Sequence, residues 1–188
     1  MLSYPIQTNE TAPEASRATL ADVEKAWGFA PNLIRTFANS PAVLDGAWAL
    51  LTAFGKTRFT AAEQQLISLA ISVENECGYC AAAHSLMGKG AGLSASELDA
   101  ARAGQPLLTP RHEALRRFAT VDTATRGNPG AEEINAFLAA GFDPTAILEV
   151  ILGVATKTLM NYTDHIAHVT PDDAFKATAW KAELKAAA

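Results

Sequence analysis

A chain of 188 residues, 49% hydrophobic and 19% charged, has the size of one globular domain and can bury a sizeable core. With 39 alanines, 7% aromatics and only short β-branched runs, its composition favours helices and excludes an all-β fold. The net charge of -5, without a cluster of lysine or arginine, argues against nucleic acid or an anionic membrane surface as the main partner.

The first ten residues have neither a positive n-region nor an apolar h-region, so they do not read as a signal peptide, and the expected compartment is the reducing cytoplasm. Helix starts then recur along the chain. Ser40-Pro41 opens a helix to about Gly55, and Thr60-x-x-Glu63 is a capping box opening the next. Ser94-x-x-Glu97 is a second box, closed by Gly104, and Thr109-Pro110 and Asp143-Pro144 repeat the device. Apolar residues between these starts follow helical spacing, as in Leu66, Leu69, Ala70 and Val73. The predicted helices cover 14–26, 32–38, 41–55, 61–75, 77–89, 95–103, 110–126, 131–140, 144–168 and 172–184, with no convincing strand. Ala146 to Met160, interrupted by Glu149 and Lys157, is shorter than the ~20 residues of a membrane span and reads as a buried helix. Gly88, Gly90 and Gly92 follow a helix and lack a Gly-Lys-Ser/Thr ending, so they read as helix end and turn, not a phosphate loop. Without a repeat or a dividing linker, residues 1–188 are expected to form a single domain.

The chain has two cysteines, Cys77 and Cys80, separated by Gly78-Tyr79, so no disulfide scaffold can be built. On a helix beginning near Cys77, Cys77, Cys80 and His84 share one face. A thiolate in the first turn is favoured by unpaired N–H groups and the positive dipole end, and His84 can take the Cys80 proton or hold the thiolate as an ion pair. Such a thiolate can attack a peroxide oxygen to give a sulfenic acid, which the neighbouring thiol condenses into a disulfide. Two other readings use the same residues. The cysteines can be small apolar core residues. Alternatively, Cys77, Cys80 and His84, completed by Glu74 or Glu76, can hold zinc in a binding or assembly module, although a set of ligands from one helix makes a poor structural cage. Ala81 after the second cysteine excludes c-type haem attachment.

The segment from Glu63 through Glu74-Asn75 to Cys77-x-x-Cys80-x-x-x-His84 resembles the active-site helix pair of the alkylhydroperoxidase AhpD / carboxymuconolactone decarboxylase family. Thr158-Leu159-Met160-Asn161-Tyr162-Thr163-Asp164-His165-Ile166-Ala167 resembles a stretch near the carboxyl end of its peroxidase-related members. The resemblance implies an all-α domain of about eight to ten helices that assembles as a homotrimer or homohexamer. It implies reduction of hydroperoxides without a cofactor, with Cys80 attacking, Cys77 resolving, His84 relaying the proton, and a thiol or dithiol reductant restoring the pair. The family's decarboxylase branch lacks the cysteine pair, so a lactone decarboxylase or isomerase is the alternative enzyme reading. Where the family's relay often has a glutamate twelve residues before the first cysteine, this chain has Gln65, which cannot accept a proton. Glu74 is the candidate to replace it, since Glu63 is explained by its capping box. Relatives commonly have glycine before the first cysteine, where this chain has Glu76, a carboxylate expected to raise the Cys77 pKa.

Tyr79 is a candidate substrate contact or a packing residue. His165 is a second substrate-binding candidate, while His168 is expected to benefit from a helix C-terminus and His112 to lie on the surface. Trp27, Trp48 and Trp180 are expected in the core or at subunit contacts.

Overall fold

The computed structural model describes residues 4–181. Among the described residues nine α-helices follow one another: α1 (Glu14–Trp27), α2 (Asn32–Phe37), α3 (Pro41–Phe54), α4 (Ala61–Glu74), α5 (Gly78–Gly90), α6 (Ala95–Arg102), α7 (Pro110–Ala124), α8 (Gly130–Ala139) and α9 (Pro144–Ala167). A 3-10 helix, Asp173–Thr178, ends the series, and no strand occurs among the described residues. The all-α expectation and the boundaries of the first nine helices therefore hold to within two or three residues, the ordinary margin at frayed helix ends.

Local chemistry accounts for the starts. Thr60 accepts a hydrogen bond from Glu63 N at 3.2 Å while the Glu63 carboxylate accepts from Thr60 N at 2.8 Å, and Ser94 and Glu97 form the same reciprocal box on α6. Asp143 caps α9 through Thr145 N and Ala146 N. Ser40 and Thr109 occupy N-cap positions without a side-chain capping bond, and there the following proline supplies the helical φ.

Helix α4 is the axis. It packs against α5, α6, α7 and α9, and every residue from Leu66 to Ser72 is buried. A helix buried all round must serve more than one core. Ile67, Ala70 and Ile71 face Phe54, Leu115, Phe118 and Val150, where Phe118, Phe137 and Phe142 stack at 4.4 and 4.3 Å. Leu66 and Leu69 face Ala81, Leu93 and Leu98 in another cluster. A third core joins α1, α2 and α3 to Cys77, Cys80 and Met160. Helix α9 carries Glu149 and Lys157, and among the described residues no single helix is long and apolar enough to cross a membrane.

The predicted last helix, 172–184, is a correction: only Asp173–Thr178 winds, as a 3-10 turn, and 182–184 lie outside the described residues. The backbone that follows is spent on other partners. Arg102 donates to the carbonyls of Thr178 and Ala179, and the Trp180 indole donates to Arg102 O at 3.2 Å. Thr178 Oγ1 donates to Ala82 O at 2.8 Å, so the segment lies as a strap across α5. Trp27 and Trp48 meet edge to face at 5.4 Å, with Trp27 partly exposed.

Gly153 lets α9 approach α3 and α4, since a Cβ there would lie 2.9 Å from Phe54 Cε2 and 3.2 Å from Ile67 Cγ2. Gly153→Ala is expected to destabilise the fold by about 1–3 kcal/mol through overpacking. Urea denaturation checks this, and an unchanged midpoint would mean that the Phe54 ring moves aside freely.

Candidate active site

The chain turns between α4 and α5 in three residues, Asn75, Glu76 and Cys77. Cys77 N donates to Ser72 O at 2.9 Å and Glu76 N to Val73 O at 3.0 Å, the two bonds of a Schellman ending, with Glu76 in the left-handed region at φ 57°. That conformation favours glycine. The turn delivers Cys77 to the N-cap of α5, where its sulfur accepts a hydrogen bond from Cys80 N at 3.4 Å. Cys80 thus stands in the first turn, among backbone N–H groups that have no partner within the helix. Gly78 lies under the strap, where a Cβ would come 2.9 Å from Trp180 O.

The two buried thiols differ in charge preference. The Cys80 thiol is lowered to about 7, first by its hydrogen bond with Cys77, against burial, and then by the Lys157 cation, with a further hydrogen bond from Asn161. Cys77 is pushed strongly the other way, by that same hydrogen bond with Cys80, by burial and by the Cys80 charge. Its sulfur donates to Asp164 Oδ2 at 3.3 Å. The carboxylate that adds to the Cys77 shift is Asp164, not the exposed Glu76 of the sequence expectation.

One polar stripe on α9 completes the site: Lys157, Asn161 and Asp164, at helical spacing within a mostly apolar helix. Lys157 is 2% exposed, and its Nζ donates to His84 Nε2 at 2.8 Å and to Met160 Sδ at 3.7 Å. His84 Nδ1 lies 2.8 Å from Gln65 Oε1, an acceptor, which assigns the ring proton to Nδ1 and leaves Nε2 to receive Lys157. Burial and the adjacent Lys157 hold His84 well below its ordinary pKa, so the imidazole is neutral. Asn161 accepts from Asn75 Nδ2 at 3.0 Å, tying α9 to the α4–α5 turn.

Of the residues singled out from sequence, Cys77, Cys80 and His84 share the α5 face that their spacing implies, and Gln65 meets His84. Both His84 nitrogens are engaged, and among the described residues no group of three His, Cys, Asp or Glu is arranged to hold a metal, which removes the support for the zinc reading. Glu74 lines a separate groove with Asp99, Arg102 and Arg116. Glu63 keeps its capping role and receives Arg111 Nε at 2.6 Å. The Tyr79 hydroxyl accepts from Leu33 N at 3.2 Å and donates to Asp172, and its ring meets Phe175 at 5.6 Å, so it anchors the strap to α5. His165 is exposed and stacks on Tyr162, while His168 ends α9 with φ 48°. His112 pairs with Glu97 at 2.6 Å and ties α6 to α7.

An open pocket of about 590 Å³ lies at the surface next to this site, walled by Asn75, Glu76, Tyr79, Asp164, His165 and His168 among others. Tyr79 and His165 both line this pocket, Tyr79 with its hydroxyl already engaged. Lys157 is the residue that sequence reasoning missed. The available signal was a lysine in the middle of an apolar helix, four residues before an asparagine and seven before an aspartate.

Residues 41–129, which span α3 to α7 and contain the Cys77–His84 segment, match the Carboxymuconolactone decarboxylase family. The segment that carries both cysteines and His84 is therefore similar to the carboxymuconolactone decarboxylase family. No curated protein matches it by sequence. Among solved structures, an uncharacterized peroxidase-related protein with an alkylhydroperoxidase AhpD core from Ralstonia eutropha JMP134 is similar with a TM-score of 0.81 and 23% identity, covering 92% of this chain and 93% of that one. A peroxidase-related protein from Silicibacter sp. TM1040 is similar with a TM-score of 0.77 and 17% identity, over 93% and 92% of the two chains. The debrominase Bmp8, in complex with 2,3,4-tribromopyrrole, is similar with a TM-score of 0.79 and 17% identity, over 95% of each chain. At these identities the likeness establishes the AhpD-like fold, and the chemistry rests on the site itself.

Glu76→Gly is expected to stabilise the protein by about 0.5–1 kcal/mol, the relief of left-handed strain exceeding glycine's added unfolded-state entropy. Thermal unfolding measures it, and a lower midpoint would mean that the Glu76 side chain makes a stabilising contact outweighing the strain.

Proposed function

We propose that this AhpD-like protein is a thiol-dependent hydroperoxide reductase or disulfide oxidoreductase, with Cys80 as attacking thiolate, Cys77 as resolving thiol and His84, both of whose nitrogens are engaged, as a positioning residue. The observation that carries the reading is the placement of the two sulfurs: Cys77 Sγ donates to the Asp164 carboxylate at 3.3 Å and is held as the thiol, while Cys80 stands in the first turn of α5, where the N–H groups favour an anion. A nucleophile must be ionised and a resolving partner must wait, and that is the division between them.

In the first step the Cys80 sulfur bonds to the distal peroxide oxygen, the O–O bond breaks, and the electron pair leaves on the alkoxide, which is protonated to the alcohol. Sulfur is oxidised to the sulfenic acid as the peroxide is reduced. In the second step Cys77 displaces the sulfenic hydroxide and the disulfide closes. Asp164, already accepting the Cys77 hydrogen bond at 3.3 Å, takes the thiol proton and returns it to the hydroxide as water. An external thiol or dithiol then restores the pair. The dithiol is also what a decarboxylase would not need, so the oxidoreductase reading is favoured within the family. Self-association as a homotrimer or homohexamer belongs to the same proposal, and sedimentation tests it.

Stoichiometric organic hydroperoxide is expected to convert two titratable thiols to none in the wild type, and Cys80→Ser is expected to abolish peroxide consumption. Retained consumption in Cys80→Ser would overturn the assignment. Asp164→Asn is expected to slow disulfide closure about a hundredfold while sulfenic acid accumulates on Cys80, measured by quenched mass spectrometry; closure at the wild-type rate would remove Asp164 from the mechanism.

A further inference from the structure

Lys157 is almost wholly buried at the middle of α9, and among the described residues no carboxylate lies within ion-pair distance of its ammonium. Its two hydrogen-bond acceptors, His84 Nε2 at 2.8 Å and Met160 Sδ at 3.7 Å, are uncharged. A buried ammonium is unfavourable unless an anion compensates it. His84, for its part, points its one lone pair at Lys157 and gives its N–H to Gln65, so the imidazole has no free nitrogen with which to receive the Cys80 proton. A glutamate at position 65 would make the ring more basic; a glutamine leaves it neutral and fixed.

We propose that Lys157 is the group that ionises Cys80 and protonates the departing alkoxide, and that His84 is a positioning residue acting through it. The inference rests on Cys80 being the attacking sulfur. In the reduced site the lysine ammonium and the Cys80 thiolate balance each other. As Cys80 attacks, the S–O bond forms and the O–O bond breaks. The alkoxide then takes a proton from Lys157 Nζ, leaving a neutral amine beside a neutral sulfenic acid and then a neutral disulfide. Reduction of the disulfide regenerates the thiolate, and the amine takes up its proton again. The lysine–Cys80 pair is thus electrically balanced in both redox states, which a permanently charged base beside the sulfur would not allow.

The groups that act on Cys80 are Cys77 at the α5 cap and Lys157, Asn161 and Asp164 on α9, with Tyr79 beside it on α5 and His84 one turn further along, held against Lys157. Asp164 opposes ionisation, and Cys77, Asn161 and Lys157 favour it. Removing the cation therefore raises the pH at which the thiolate forms.

The test is the pH dependence of Cys80 alkylation by iodoacetamide, with the modified residue located by mass spectrometry. Lys157→Met, of similar length and uncharged, is expected to move the midpoint up by about one pH unit or more, toward the ordinary cysteine value of about 8.5. Alkylation at neutral pH should fall about fivefold or more with it. Lys157→Gln provides the same comparison if the methionine variant does not fold by circular dichroism. His84→Gln is expected to move the midpoint by less than half as much. An unchanged midpoint in both lysine variants, or an equal shift in His84→Gln, would overturn the proposal. Above the midpoint, where Cys80 is ionised in every variant, Lys157→Met should still consume organic hydroperoxide at least about tenfold more slowly than wild type; equal rates there would overturn the proton-donor role. A wild type that alkylates with the lysine-dependent midpoint but consumes no hydroperoxide would refute the peroxidase reading and leave the ionisation by Lys157 standing.

Discussion

The chain reverses between α4 and α5 in three residues, and the site depends on how that corner is built. A helix that ends in a Schellman turn requires a left-handed residue one position before the next segment begins. Here that residue is Glu76, and the position after it is Cys77, which becomes the N-cap of α5. The same geometry that closes one helix therefore places one sulfur at the start of the next and the second sulfur within its first turn. A serine or aspartate cap would satisfy the α5 amide equally well; a thiol does so while remaining available to attack its neighbour. Gly78 and the strap seal the corner from above, with Tyr79 and Thr178 holding the strap to α5 and Asp172 tying it to the start of α2.

The corner alone gives two buried thiols in an apolar core. What separates it from a core contact is the stripe on α9, which brings a cation, an amide and a carboxylate against the pair. The segment matching the family ends at residue 129, before α9 begins, so the site joins a family-typical helix pair to residues supplied from outside that segment. The opposed biases of Cys77 and Cys80 begin with the hydrogen bond between them, and the α9 stripe adds to them. Asp164 stands beside Cys77, Lys157 and Asn161 favour the Cys80 anion, and burial amplifies each effect by lowering the local dielectric response.

Much of this was legible in the sequence. The capping boxes at Thr60 and Ser94 act as written because their bonds are local, closing within four residues whatever the tertiary context. The spacing of Cys77, Cys80 and His84 likewise survives folding, since one helix carries all three. Three features were not legible. The segment from 172 was expected to be helical, yet the carbonyls of Thr178 and Ala179 bond to Arg102, a partner far away in sequence. Glu76 was expected to raise the Cys77 pKa because it is adjacent, but it is exposed, and the carboxylate that faces the sulfur is Asp164. His84 was expected to be the base, and only the approach of α9 reveals that its Nε2 is occupied by Lys157. Each of these depends on which helices pack together, information that periodicity along one segment does not contain.

The central claim is that Cys80 is the sulfur that meets the oxidant. In Cys77→Ser the resolving step is blocked, so one equivalent of organic hydroperoxide in the presence of dimedone should leave a single adduct, mapped by mass spectrometry to Cys80. A protein that remains unmodified while hydroperoxide persists would contradict the claim.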